Sequence, residues 1–154
     1  AFLLAGKYSS ITEEQGARRV HVSTYAVVRR NEAERIAKIV ASVQACLEKW
    51  LGVEYPFRDL QLIEVNSWGW GQAPPGIIFI TKEAFLNSAW AQSGVDEDSA
   101  ASWLGDVSRG INERVAHEVA HGWFPHVAKI SRNEENWLSE SLSEYASTVC
   151  ISLG

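Results

Sequence analysis

His117-Glu118-Val119-Ala120-His121 and, further along, Asn136-Trp137-Leu138-Ser139-Glu140 decide how this 154-residue chain is read. Residues four apart on a helix share a face, about 40° apart around its axis, so two imidazoles at that spacing can converge on one ion. Glu118 flanks the pair and can turn its carboxylate toward a water at such an ion without ligating it. Glu140, nineteen residues after His121, offers a carboxylate from a second helical pattern. Two histidines and a carboxylate, with a fourth position left to water, form the donor set of a catalytic zinc site. The plain alternative is a surface helix carrying two solvated histidines. The apolar residues around the motif instead fit a buried helix with one polar face. Glu144 lies four residues past Glu140 on the same face, placed to accept a hydrogen bond from the free nitrogen of a ligand histidine.

The run from His117 through Gly122-Trp123-Phe124, followed by Trp137-Leu138-Ser139-Glu140-Ser141-Leu142-Ser143-Glu144-Tyr145-Ala146, resembles the aminopeptidase N family of gluzincin metallopeptidases. Their pattern is H-E-x-x-H, eighteen residues, then Glu within W-L-N-E-G-F-A. The resemblance implies an α+β, zincin-like (thermolysin-like) metallopeptidase domain. Such a domain has a small mixed sheet, with an edge strand near residues 76–81, packed on the active-site helices. The resemblance also implies one zinc ion per chain on His117, His121 and Glu140. Peptide or protein substrates would then be hydrolysed by a metal-activated water, with Glu118 as general base.

Ser139 and Ser141 stand where the family has Asn and Gly. In the family, G-x-M-E-N supplies a Glu that holds the substrate's free amine. Here Gly76-Ile77-Ile78 matches the strand that follows that motif, so Gly76 and Ile77 are the expected substrate-binding backbone. Gly71-Gln72-Ala73-Pro74-Pro75, just before it, contains no carboxylate. An endopeptidase, or another amide or ester hydrolase on the same site, therefore stands beside the exopeptidase. From a different class comes a non-catalytic binding module that keeps a metal. Structural zinc is normally closed by four ligands, usually including Cys, and neither Cys46 nor Cys150 is near the motif.

At 46% hydrophobic residues the chain can bury a core and is most simply one domain. A net charge of −5 gives no basic footprint for nucleic acid, and no stretch is long and apolar enough to span a membrane. Ala1 to Ala5 lacks the length and basic start of a signal peptide. The two cysteines stand in unrelated segments and are expected as buried free thiols. They do not fix a compartment; a cell-envelope or extracytoplasmic setting is favoured for the parent. Methionine is absent, so a catalytic-domain fragment of a longer protein is expected. Residues 1–28 would be strands handed over from a preceding β domain, and a downstream helical part would be missing. The family's oxyanion-stabilising tyrosine would lie in that part, so the isolated piece is expected to be weakly active.

Phe2 to Tyr8 and Arg19 to Val27 read as strands around a turn at Glu13 to Gly16. His21 reads as a strand surface residue. Asn31 with Glu34 reads as a capping box opening a helix whose stripe is Ile36, Val40, Val43, Leu47, Trp50 and Leu51, closed by Gly52. Leu60 to Val65 and Ile77 to Thr81 read as buried strands around a turn-rich, aromatic segment. A short helix or turn is expected at Glu83 to Leu86, and an acidic solvent-facing loop at Gln92 to Ser99. Trp103 to Gly110 is ambiguous. The motif helix should run from Ile111 to about Phe124, where Pro125 stops it. His126 beyond it reads as a surface residue, with a substrate-facing role as the alternative. The last helix should begin near Asn136 and bury Leu138, Leu142, Tyr145 or Ala146, and Val149.

Overall fold

Val20 and Val22, Leu60 and Leu62, Ile78 and Ile80 recur at every second position along three strands, so each strand turns one apolar edge to the same side. The computed structural model describes residues 5–25, 30–67, 69–85, 112–129 and 136–152. Its strands are β1 (Ser9–Gln15), β2 (Arg18–Thr24), β3 (Asp59–Val65), β4 (Gly71–Gln72) and β5 (Ile77–Thr81). They form one five-stranded mixed sheet in the order β1-β2-β3-β5-β4. The three inner strands run parallel, while β1 and β4 close the two ends antiparallel. Parallel neighbours need a crossover, and helix α1 (Arg30–Leu51) provides it between β2 and β3.

The apolar side of the sheet packs on Ala33, Ile36, Ala37, Val40, Val43 and Leu47 of α1. It shares that core with Val115, Ala116, Val119 and Ala120 of α2, which spans residues 112–120. Arg35 ties these layers together, donating to Asn112 Oδ1 and to the Ala84 carbonyl, each at 2.9 Å. Ala84 belongs to the 3₁₀ turn Lys82–Phe85 that follows β5. Gly52 ends α1 with φ of 68° and donates its N–H to the Glu48 carbonyl, the left-handed cap that glycine adopts without strain. The third helix, α3, is Asn136–Ser152. No helix among the described residues is long and apolar enough to cross a membrane.

Several expectations are corrected. The first strand is Ser9–Gln15, so Glu13 to Gln15 lie in β1, Ala5 to Tyr8 precede it, and Gly16 makes the turn. Its polar sequence had the look of a turn, yet β1 is an end strand paired only with β2, where alternate residues stay in water. Helix α1 already includes Arg30, so Asn31 sits inside its first turn, and Glu34 accepts from the Arg30 side chain at 2.9 Å instead of closing a capping box. Trp50 is exposed and meets the ring of Tyr145 at 5.8 Å. The strand at Ile77–Thr81 is not the sheet's edge; β4 lies outside it. Phe2 to Leu4, Ala26 to Val27, Leu86, Gln92 to Ser99, Trp103 to Gly110 and Ile111 lie outside the described residues.

The buried stripe of α3 is turned by about one residue from the expected one. Ser139, Ser143, Ala146, Ser147 and Cys150 face inward, while Leu138 and Tyr145 are exposed. Small side chains let this helix approach its neighbours closely, and each buried hydroxyl has a hydrogen-bond partner, which removes the usual penalty of burying it. Cys150 joins Cys46 in a disulfide, with Cα atoms 5.8 Å apart, so the cysteines are not free thiols. The bond straps α3 to α1 across a sequence separation of 104. Replacing both cysteines by serine should lower the unfolding free energy by about 2–5 kcal/mol. The check is the denaturant midpoint, and an unchanged midpoint would show that packing alone holds α3 against α1.

Candidate metal centre

Helix α2 buries Val115, Ala116, Val119 and Ala120 in the core, which leaves His117, Glu118 and His121 on the side toward β4 and α3. The helix is shorter than its sequence pattern, ending at Ala120 rather than near Phe124. The chain then tightens, with Gly122 N–H donating to the Val119 carbonyl at 3.0 Å and Trp123 N–H to that of Ala120 at 2.9 Å. His121 N–H still reaches the His117 carbonyl at 3.2 Å, so the two rings keep helical register. Tyr55 packs against this turn. A Cβ on Gly122 would run into the Tyr55 ring, which packs edge-on against Trp123 at 5.1 Å. Trp123 in turn donates its indole N–H to the Val53 carbonyl at 3.0 Å.

His117, His121 and Glu140 come together as their spacing predicts, with one ligating atom from each within 4.8 Å of the others. His117 Nε2 lies 3.1 Å from His121 Nε2 and 3.2 Å from Glu140 Oε2, and His121 Nε2 lies 3.5 Å from the same oxygen. The outer nitrogens fix the tautomers. His121 Nδ1 is 2.7 Å from the Phe124 carbonyl, an oxygen that can only accept, so Nδ1 carries the proton. His117 Nδ1 is 2.9 Å from Glu144 Oε2 and donates to that carboxylate. With both Nδ1 atoms so engaged, both Nε2 atoms point inward at a carboxylate oxygen. Two imidazole nitrogens and one carboxylate oxygen thus converge on one point, and this donor set suits zinc. Burial holds His121 below the ordinary imidazole pKa, against the opposing effects of the Phe124 carbonyl and Glu140, which favours the neutral, ligating form.

Glu118 points into a cleft of about 280 Å³ between β4 and the two site helices. Gly71, Gln72, Ala73 and Pro74 form one wall; His121, Pro125, His126, Asn136, Ser139 and Glu140 line the rest. Glu118 is only 6% exposed. Burial pushes its carboxyl up to about 7, with Glu140 adding to the rise and His117 and Arg114 opposing it. Such a group can take and release a proton near neutral pH. Gly71 is pressed against it: a Cβ there would come within 2.7 Å of Glu118 Cδ and 2.8 Å of Cγ. The backbone of β4 thus forms the seat of this carboxylate, and only glycine leaves it room.

Gly76 and Ile77 lie at the start of β5, where the Gly76 carbonyl accepts from Gln61 of β3, and the cleft wall is made by Gly71 to Pro74 instead. His126 is not a plain surface residue. It is half-buried, lines the cleft and donates from Nε2 to the Ala73 carbonyl at 3.0 Å, latching the β4 loop to the exit of α2. His21 stays within the sheet, its Nδ1 at 2.9 Å from Thr12 Oγ1. Reading the residues missed Gly71, the Phe124 carbonyl and the pair Ser139 and Ser143. A signal for the serines was present, since they repeat at the spacing of Glu140 and Glu144, one position earlier.

No family model matches the chain. Over 136 residues it is 26% identical to endoplasmic reticulum aminopeptidase 1 of Homo sapiens, covering 87% of this chain and 13% of that protein. Over 134 residues it is 25% identical to endoplasmic reticulum aminopeptidase 2 of Homo sapiens, covering 86% of this chain and 13% of that protein. The chain therefore spans about an eighth of the length of these relatives. Across most of its own length it is distantly similar to aminopeptidases.

Proposed function

We propose that this chain carries the zinc site and general base of a peptidase, on an α+β domain of the zincin-like kind. The observation that carries the reading is the convergence of three possible ligand atoms, from His117, His121 and Glu140, beside the buried carboxylate of Glu118. The similarity to two aminopeptidases supports it independently. Zinc held by those three residues would supply Lewis-acid polarisation of a carbonyl and bring the pKa of a water toward ~7.

The chain's own residues supply the rest. Glu118 takes a proton from the attacking water and hands it to the departing amine, a shuttle for which a carboxyl near neutrality is suited. Gly71 keeps that carboxylate facing the cleft. Glu144 holds the His117 ring through Nδ1, and the Phe124 carbonyl does the same for His121. A purely structural zinc site would have no use for Glu118, which sets the binding-module reading behind the enzyme.

Substrate preference follows from the wall that Gly71 to Pro74 provides. Among the described residues, no carboxylate other than Glu118 and Glu140 lines the cleft. A free α-amine would find no dedicated partner there, which favours an endopeptidase, or a hydrolase of other amides or esters, over a strict aminopeptidase. The Cys46–Cys150 disulfide favours an oxidising compartment for the protein, in keeping with the endoplasmic reticulum named for both relatives.

Three measurements test this. The purified protein should bind one zinc per chain, and Glu118→Gln should keep that metal while turnover falls at least ~10²-fold; equal rates for the two would return the site to a binding role. Gly71→Ala should also keep the zinc, while displacing Glu118 and lowering turnover by ~10²-fold, the scale of a misplaced catalytic group. Wild-type turnover in that variant would mean that β4 yields and Glu118 stays in place. Acetylating a peptide's N-terminus should change its rate little, because no carboxylate is left unpaired when the amine is removed. A strong preference for the free amine would show that a residue outside this wall holds it.

A further inference from the structure

We propose that Ser139 and Ser143 are positioning residues for the metal site, holding the His121 ring through the shared carbonyl of Phe124. This inference rests on the reading of His117, His121 and Glu140 as metal ligands. Ser139 Oγ donates to the Phe124 carbonyl at 2.9 Å, the same oxygen that accepts from His121 Nδ1 at 2.7 Å. Ser143 Oγ lies 3.0 Å from His121 Nδ1 and 3.4 Å from that carbonyl, so its oxygen can accept from the ring while its hydrogen points to Phe124. Both serines are fully enclosed, at 1% and 0% exposure.

Two contrasts separate this arrangement from ordinary helix packing. Serine inside a helix commonly bonds back to its own backbone, as Ser147 does to the Glu144 carbonyl at 2.8 Å. Ser139 and Ser143 reach across to the exit of α2 instead. They are also the residues immediately before Glu140 and Glu144, the two carboxylates of α3 that touch His117. Glu140 itself has a side chain 53% exposed, and its described partners are the two histidines. Its place is therefore set by the backbone beside it, and Ser139 anchors that backbone to the oxygen that orients His121. One carbonyl thus aligns a ligand on each of the two elements. Removing a hydroxyl would free the ring to rotate and α3 to shift. Alanine is the better helix former, so the helix itself would not suffer.

The test compares the purified wild-type protein with Ser139→Ala, Ser143→Ala, Ser143→Thr and His121→Ala. Zinc affinity is read by competition with a chromophoric chelator, ligand geometry from the visible spectrum of the cobalt-substituted protein, and stability from the thermal midpoint of the metal-free protein. Each serine-to-alanine change should weaken zinc binding ~10–100-fold, the range for loss of a group that orients a ligand. Each should also alter the cobalt bands and leave the metal-free midpoint near that of the wild type. Ser143→Thr, which retains the hydroxyl, should recover most of the affinity. Alanine variants that bind zinc as the wild type does, or that lose affinity only in step with metal-free stability, overturn the positioning role alone. A wild-type protein that takes up zinc no better than His121→Ala overturns the metal reading, and the positioning role with it.

Discussion

Two imidazole nitrogens and a carboxylate oxygen brought to one point set the terms for what surrounds them. His117 and His121 turn their Nε2 atoms to one Glu140 oxygen, at 3.2 and 3.5 Å. To act as the proposed metal site, such an arrangement needs each ring held from behind by an acceptor and room for a cation in front. The first condition is met by Glu144 for one ring and by the Phe124 carbonyl for the other. That second partner explains the shape of the chain after α2. The early tightening at Gly122, the packing of Tyr55 on Trp123 and the indole bond to Val53 all bring the Phe124 carbonyl to Nδ1 of His121.

Glu118, as the proposed general base, answers to a different demand. A general base must be close to the reacting water yet not ligate the metal, and its pKa should lie near the working pH. Burial under the β4 backbone meets both needs at once, because the strand that confines the carboxylate also removes its solvent. In the proposed mechanism the short end strand therefore serves the chemistry as well as the sheet. Gln72 and Ala73, continuing from Gly71, define the wall that a substrate would meet.

The convergence of His117, His121 and Glu140 was legible in the sequence because metal-ligating chemistry is confined to a few residue types at helical spacing. The sheet's inner strands were legible too, since Leu60 to Val65 and Ile77 to Thr81 are buried apolar runs. What escaped reading shares one property: it depends on backbone atoms or on partners distant in sequence. The β1 strand is polar because only one neighbour covers it, and sequence cannot show which strand sits at an end. The inward face of α3 is lined by serines, a pattern that hydropathy assigns to solvent. They are inside because carbonyls of α3 and of the turn after α2 accept their hydrogens. Cys46 and Cys150 lie in unrelated segments, and only the packing of α3 on α1 brings them together.

That cross-link also changes the topology of the molecule. It closes the chain from Cys46 to Cys150 into a covalent ring, and His117, Glu118, His121, Glu140 and Glu144 all lie on it. A single backbone cut anywhere on the ring leaves one molecule, in which no ligand can diffuse away from the others. The ring also narrows the distances that separate the ligands once the fold is lost, so the unfolded chain keeps them at a higher effective concentration than an open chain would. If the site holds a metal as proposed, its loss and the loss of the fold are thereby made easier to reverse, because the donors stay tethered to one another.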